Sequence, residues 1–71
     1  MDDEELTEYQ RLAEIAARHL ARYRALVEDW LADPVPDGRK LRRADAEGRM
    51  HDQALAEVRA FVERVAARRL S

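Results

Sequence analysis

Asp33-Pro34-Val35-Pro36-Asp37-Gly38 interrupts a chain that is otherwise patterned for helix from end to end. Pro34 disfavours helical geometry at Asp33, so a helix arriving from the N-terminal side stops near Leu31 or Ala32. Pro36-Asp37-Gly38 is a turn signal, because proline presets its own φ and glycine accepts a positive one. Upstream, Leu6, Tyr9, Ala13, Ala16, Leu20, Tyr23, Val27 and Trp30 recur at alternating steps of three and four. Downstream, Leu41, Ala44, Gly48, His51, Leu55, Val58, Val62 and Val65 keep the same rhythm. This spacing marks one face of a helix. The reading is all-α: an antiparallel two-helix hairpin in a single domain, with helix 1 over residues 3–32, a loop at 33–38 and helix 2 over residues 41–70.

The helix ends carry their own signals. Asp2 or Asp3 caps helix 1, with Glu4 and Glu5 favoured in the first turn by the helix dipole. Thr7-Glu8-Tyr9-Gln10 offers a later capping box, but Leu6 already belongs to the apolar stripe, which favours the earlier start. Helix 2 begins between Arg39 and Asp45, capped by Asp37 or by Asp45. Gly48 weakens its first turns by about 1 kcal/mol relative to alanine. Arg64, Arg68 and Arg69 crowd the last turns, where cations favour the carbonyl end.

Folding helix 1 back on helix 2 pairs Trp30 with Ala44, Val27 with Gly48, Tyr23 with His51, Leu20 with Leu55, Ala16 with Val58 and Tyr9 with Val65. Large residues then face small ones near the loop, and Gly48 permits close approach. A second apolar strip lies on one shoulder of each stripe: Leu12, Ile15, His19 and Leu26 on helix 1, and Met50, Ala54 and Phe61 on helix 2. A lone hairpin leaves such shoulders wet, whereas two hairpins packed as a four-helix bundle bury them. The expected assembly is therefore a homodimeric, coiled-coil-like bundle.

Composition points the same way. A chain of 71 residues rarely gains more than about 3–5 kcal/mol from its own core. It has no cysteine, so disulfides and thiolate metal sites are excluded. Two histidines make no convincing metal centre. Oligomerisation or docking on a larger protein is left as the source of further burial. The hydrophobic fraction of 46 % separates the chain from disordered tails. A net charge of −2 with interleaved signs argues against a dedicated nucleic-acid binder. Met1-Asp2-Asp3-Glu4-Glu5 is the reverse of a signal peptide, and no stretch approaches the roughly 20 apolar residues of a membrane span. The expected location is cytoplasmic. A single lysine, no asparagine and abundant arginine and alanine point to a high-GC bacterium or one of its phages.

Few side chains suggest chemistry. Arg39-Lys40-Leu41-Arg42-Arg43 is a basic tip suited to phosphate or an acidic partner. Its simpler reading is a solvated loop and helix start, and no aromatic residue is interleaved for base stacking. His51 on the stripe, with Glu47 one turn earlier and Tyr23 opposite, suggests a proton-transfer site, with Arg24 nearby. A buried polar cluster that sets register accounts for it more simply. His19 is read as an interface residue whose protonation makes assembly pH-sensitive. Tyr9, Tyr23 and Trp30 fall at core spacing. No nucleophile stands with a base, and Gly38 and Gly48 are isolated, so there is no phosphate loop. In size and expected shape the chain is similar to small two-helix bacterial phosphatases of sporulation regulators. Their Ser-Gln-Glu-Leu-Asp signature is met only by Gln53 and Leu55 within Asp52-Gln53-Ala54-Leu55-Ala56; its final acidic residue is missing, and the chain is not assigned to that family.

The functional expectation is a non-enzymatic protein–protein interaction module that self-associates and engages a larger protein as regulator, inhibitor or adaptor. No catalytic residue, metal or cofactor is assigned. The expected interface comprises Leu12, Ile15, His19, Leu26, Trp30, Met50 and Phe61. Two alternatives stand beside it: a nucleic-acid-binding dimer that uses Arg39, Lys40, Arg42 and Arg43, and a bundle enzyme with a site at Tyr23, Glu47 and His51.

Overall fold

Asp2 starts the first helix by taking extended geometry (φ −77°, ψ 177°) and closing a reciprocal capping box with Glu5. The Glu5 N–H donates to Asp2 Oδ1 at 2.8 Å, and the Asp2 N–H donates to Glu5 Oε1 at 3.2 Å. Two otherwise orphaned donors are thereby satisfied, and the N–H bond holds the Asp2 carboxyl below its ordinary range. Helix α1 runs Asp3–Ala32. Thr7, the later candidate cap, is already inside it and donates its hydroxyl to the Asp3 carbonyl at 2.9 Å. Asp33 ends α1 in extended geometry (φ −75°, ψ 122°), as the residue before a proline prefers.

The computed structural model describes residues 2–35 and 37–70; Pro36, part of the turn signal, lies outside them, as do Met1 and Ser71. Helix α2 runs Gly38–Leu70, three residues earlier than the stripe suggested. Asp37 explains the early start, because its Oδ1 accepts the Arg39 N–H at 2.9 Å. Gly38 was expected to use a positive φ, yet neither glycine has one. Gly38 serves instead as the first residue of α2. The two helices pack against each other along their lengths, and none of the described residues forms a strand. No helix is long and apolar enough to cross a membrane among the described residues.

The contact surface differs from the expected stripe by one column. Each helix presents three adjacent columns in heptad notation, a and e mainly apolar and d a mixture of apolar and charged residues. Column a holds Tyr9, Ala16, Tyr23 and Trp30 in α1, and Ala44, His51, Val58 and Val65 in α2. Column d holds Glu5, Leu12, His19, Leu26 and Asp33, and Lys40, Glu47, Ala54, Phe61 and Arg68. Column e holds Leu6, Ala13, Leu20 and Val27, and Leu41, Gly48, Leu55, Val62 and Arg69. The sequence reading placed a and e inside; the structure places a and d there. Leu12 and Phe61, assigned to an outer shoulder, are 9 % and 7 % exposed. They join Val65 in the best-packed cluster, with Tyr9 and Val58 against it. Arg64 covers the Phe61 ring at 5.9 Å.

The choice of d over e has a physical cause. Column d contains Phe61 and three pairs of polar residues that reach each other only across the seam. Arg68 donates to Glu5, Lys40 meets Asp33 at 3.1 Å, and His19 Nδ1 lies 3.0 Å from Glu47 Oε2. Column e contains a single charge, Arg69 at its far end, which lies 3.9 Å from Glu5, and nothing charged along the rest of its length. Of the expected pairs, Tyr9 packs against the cluster that holds Val65, but the Gly48 contact moves by a turn. Gly48 meets Tyr23 rather than Val27, and a Cβ at Gly48 would stand 3.0 Å and 3.2 Å from Cε1 and Cδ1 of the Tyr23 ring.

The helices also differ in charge. Seven acidic residues stand against four basic ones in α1, while α2 has five acidic and nine basic. Antiparallel pairing sets the acidic helix beside the basic one at both ends. The resulting rod measures 56 × 18 × 12 Å, with a radius of gyration of 16.3 Å; a compact chain of this length would have about 11 Å. Its accessible surface is 5668 Å², against about 4,500 Å² for a compact protein of equal mass.

Two expected outcomes test this packing. Phe61→Ala removes about 3–5 kcal/mol, comparable with everything a core of this size supplies, so urea titration followed by circular dichroism should find that variant largely unfolded. Gly48→Ala should stabilise the Tyr23→Ala protein by about 1 kcal/mol through helix propensity. In the wild type the same change should gain clearly less, because the new methyl presses on the Tyr23 ring. A double-mutant cycle by urea denaturation measures the difference.

Candidate protein interface

Column e is the surface left over once a and d have met. On a helix it lies about 40° beyond column a, on the side away from d. In an antiparallel pair the e columns of both helices fall on the same side of the hairpin. Leu6, Leu41, Leu55 and Val62 are 44 %, 47 %, 41 % and 41 % exposed. Ala13, Leu20, Val27 and Gly48 are half-buried beside them. At the centre of this face a shallow groove forms because Gly48 has no side chain. It is lined by Leu20, Tyr23, Gly48 and His51 and edged by Asp45, Arg49 and Asp52.

The opposite flank is mostly charged. There Glu8, Arg22, Asp29, Arg43, Glu57 and Arg64 surround Ile15 and Met50. Ile15 is half-buried and Met50 exposed. The residues assigned to the interface therefore separate into three groups. Leu12 and Phe61 are buried within the chain, His19, Leu26 and Trp30 are half-buried along the a/d seam, and Ile15 and Met50 stand on the charged flank. The continuous apolar face belongs to residues the sequence reading had placed inside.

The polar clusters are also rearranged. Glu47, expected beside His51 and Tyr23, faces His19 instead, and both side chains are largely sheltered. His51 Nδ1 is 3.8 Å from Asp52 Oδ1, beyond hydrogen-bond reach. Tyr23 and His51 share the groove, while Arg24 is exposed. No group of three or more His, Asp or Glu side chains is placed to hold a metal ion among the described residues.

At the hairpin tip, Lys40 is not part of a free basic patch. Its ammonium lies 3.1 Å from Asp33 and 3.3 Å from Asp29, clasping the start of α2 to the end of α1. Asp33 also accepts the Val35 N–H at 3.0 Å. Arg39, Arg42 and Arg43 remain exposed. The clasp relieves an unfavourable arrangement, since acids at a helix C-terminus and cations at an N-terminus both oppose the dipole. The missed signal was present in the sequence: Asp29, Asp33 and Lys40 flank the turn with opposite charges.

The clasp has a defined pH window. The Val35 N–H and then the Lys40 ammonium hold the Asp33 carboxyl below its ordinary 3.8, so its contribution is complete above that value and lost as the pH falls through the lowered one. Asp33 and then Asp29 hold the Lys40 ammonium above its ordinary 10.5, so its contribution is complete below that value and lost as the pH rises through the raised one. Lys40→Met should therefore lower the Tm by a constant amount between about pH 5 and pH 9, and the gap from wild type should close below about pH 4. Thermal melts of both proteins across pH check this.

No protein family, curated protein or solved structure that was compared matches the chain.

Proposed function

We propose that this chain is a small protein–protein interaction module that self-associates through its e-column face into a four-helix-bundle homodimer. In that state it engages a larger protein as regulator, inhibitor or adaptor. The observation that carries the reading is the unpartnered apolar face of Leu6, Leu20, Val27, Leu41, Leu55 and Val62. An a/d seam suffices for two helices in contact, and a third apolar column is what helices use when they face a further neighbour. The accessible surface of 5668 Å² exceeds that of a compact protein of this mass by about 1,100 Å². A typical stable interface buries about 800 Å² on each partner, so one further copy accounts for the excess. The tip, with Leu31, Val35, Arg39, Arg42 and Arg43 exposed, stays outside that contact and is available to a larger partner.

Sedimentation equilibrium across a dilution series tests the reading. Wild type should be dimeric at micromolar concentration, with a Tm that rises with concentration. Leu55→Glu should raise the dimer dissociation constant by roughly 100-fold, because the dimer would have to bury a charge. It should keep the helical circular dichroism of the hairpin, since Leu55 is solvated there. A wild type that stays monomeric and cooperatively folded at every concentration removes the proposal.

A further inference from the structure

Tyr23 belongs to column a, yet the seam does not enclose its ring. A Cβ on Gly48, which stands in column e of α2, would lie 3.0 Å from Cε1 and 3.2 Å from Cδ1 of that ring. The ring therefore crosses from α1 onto column e of α2 and rests on the glycine. Tyr23 is 37 % exposed there, the one exposed aromatic residue among those described. Tyr9, the other tyrosine, packs against the Phe61 cluster instead. Resting on the self-association reading above, we propose that Tyr23, seated on Gly48, is the aromatic anchor of the interface between two copies of this chain.

The seat makes the ring rigid before any partner arrives. Alanine would be the better helix former at position 48, but its methyl would press the ring off this position. With the ring held against α2, little side-chain freedom remains to be lost on binding. A tyrosine so held offers a large contact area at low entropic cost.

Its surroundings have the form of an interface centre. The ring borders a recess of about 390 Å³ that it shares with Leu20, Gly48 and His51. Leucine and valine side chains from column e of a second copy have the size and polarity to enter it. Asp45, Arg49 and Asp52 edge the recess, and Asp45 and Arg49 are already paired at 3.3 Å. An apolar floor with an aromatic wall inside a polar rim is the pattern of a binding hot spot.

Tetranitromethane nitrates solvated tyrosine rings, and mass spectrometry separates Tyr23 from Tyr9. Wild type is treated at a concentration where sedimentation shows the dimer, and again after dilution to monomer. Tyr23 should be nitrated roughly 10-fold more slowly in the dimer, because an anchor at the interface centre is desolvated. Gly48→Ala should keep the helical circular dichroism and raise the dimer dissociation constant roughly 10-fold by unseating the ring. Equal nitration rates, or an unchanged dissociation constant in the Gly48→Ala chain, overturn the anchor while leaving self-association standing. A wild type that is monomeric throughout overturns both.

Discussion

Two helices in contact can hide only a narrow seam, and each helix here carries one apolar column more than that seam holds. Columns a, d and e together span about 100° of the helix surface. One pairing buries two of them and leaves the third in water. The buried positions, the tip and the candidate interface all depend on which column is left out. Because d goes inside, Phe61 and Leu12 form the core and Leu55 and Val62 stay solvated.

That selection is made by side chains too polar to count as core in a hydrophobicity pattern. Glu5 with Arg68, His19 with Glu47 and Asp33 with Lys40 sit on the inner columns and meet across the helices. Exposed ion pairs add little stability individually, and the value of these lies in specificity. A seam built on a and e would swing them away from each other and put the Phe61 ring in water. Glu5 links two levels of structure: its carboxylate closes the cap of α1 and also receives Arg68 from the far end of α2. Lys40 plays the corresponding part at the tip, where charges that oppose both helix dipoles are neutralised by each other.

The same geometry gives the leftover face its character. It is apolar along its central column on both helices as far as Val62, with Arg69 the one charge at its end, and slightly concave where Gly48 meets the Tyr23 ring. The opposite flank is dominated by charged residues of both signs. This asymmetry between flanks is a stronger argument for a binding surface than the number of exposed apolar residues, since scattered ones occur on every protein.

Local chemistry was legible in the residues alone. Pro34 ends α1, Asp2 with Glu5 starts it, and Asp37 is among the candidates to start α2; each effect acts within one turn and needs no knowledge of the fold. The three-four spacing also established two antiparallel helices with more apolar surface than one contact consumes. Only the tertiary structure decided which two columns turn inward, that Glu47 belongs to His19 rather than to His51, and that Lys40 is a clasp rather than part of a free patch. Periodicity cannot separate a/d from a/e, because both repeat at steps of three and four. The tie is broken by groups far apart in the chain, such as Glu5 and Arg68, whose attraction exists only once the helices lie side by side.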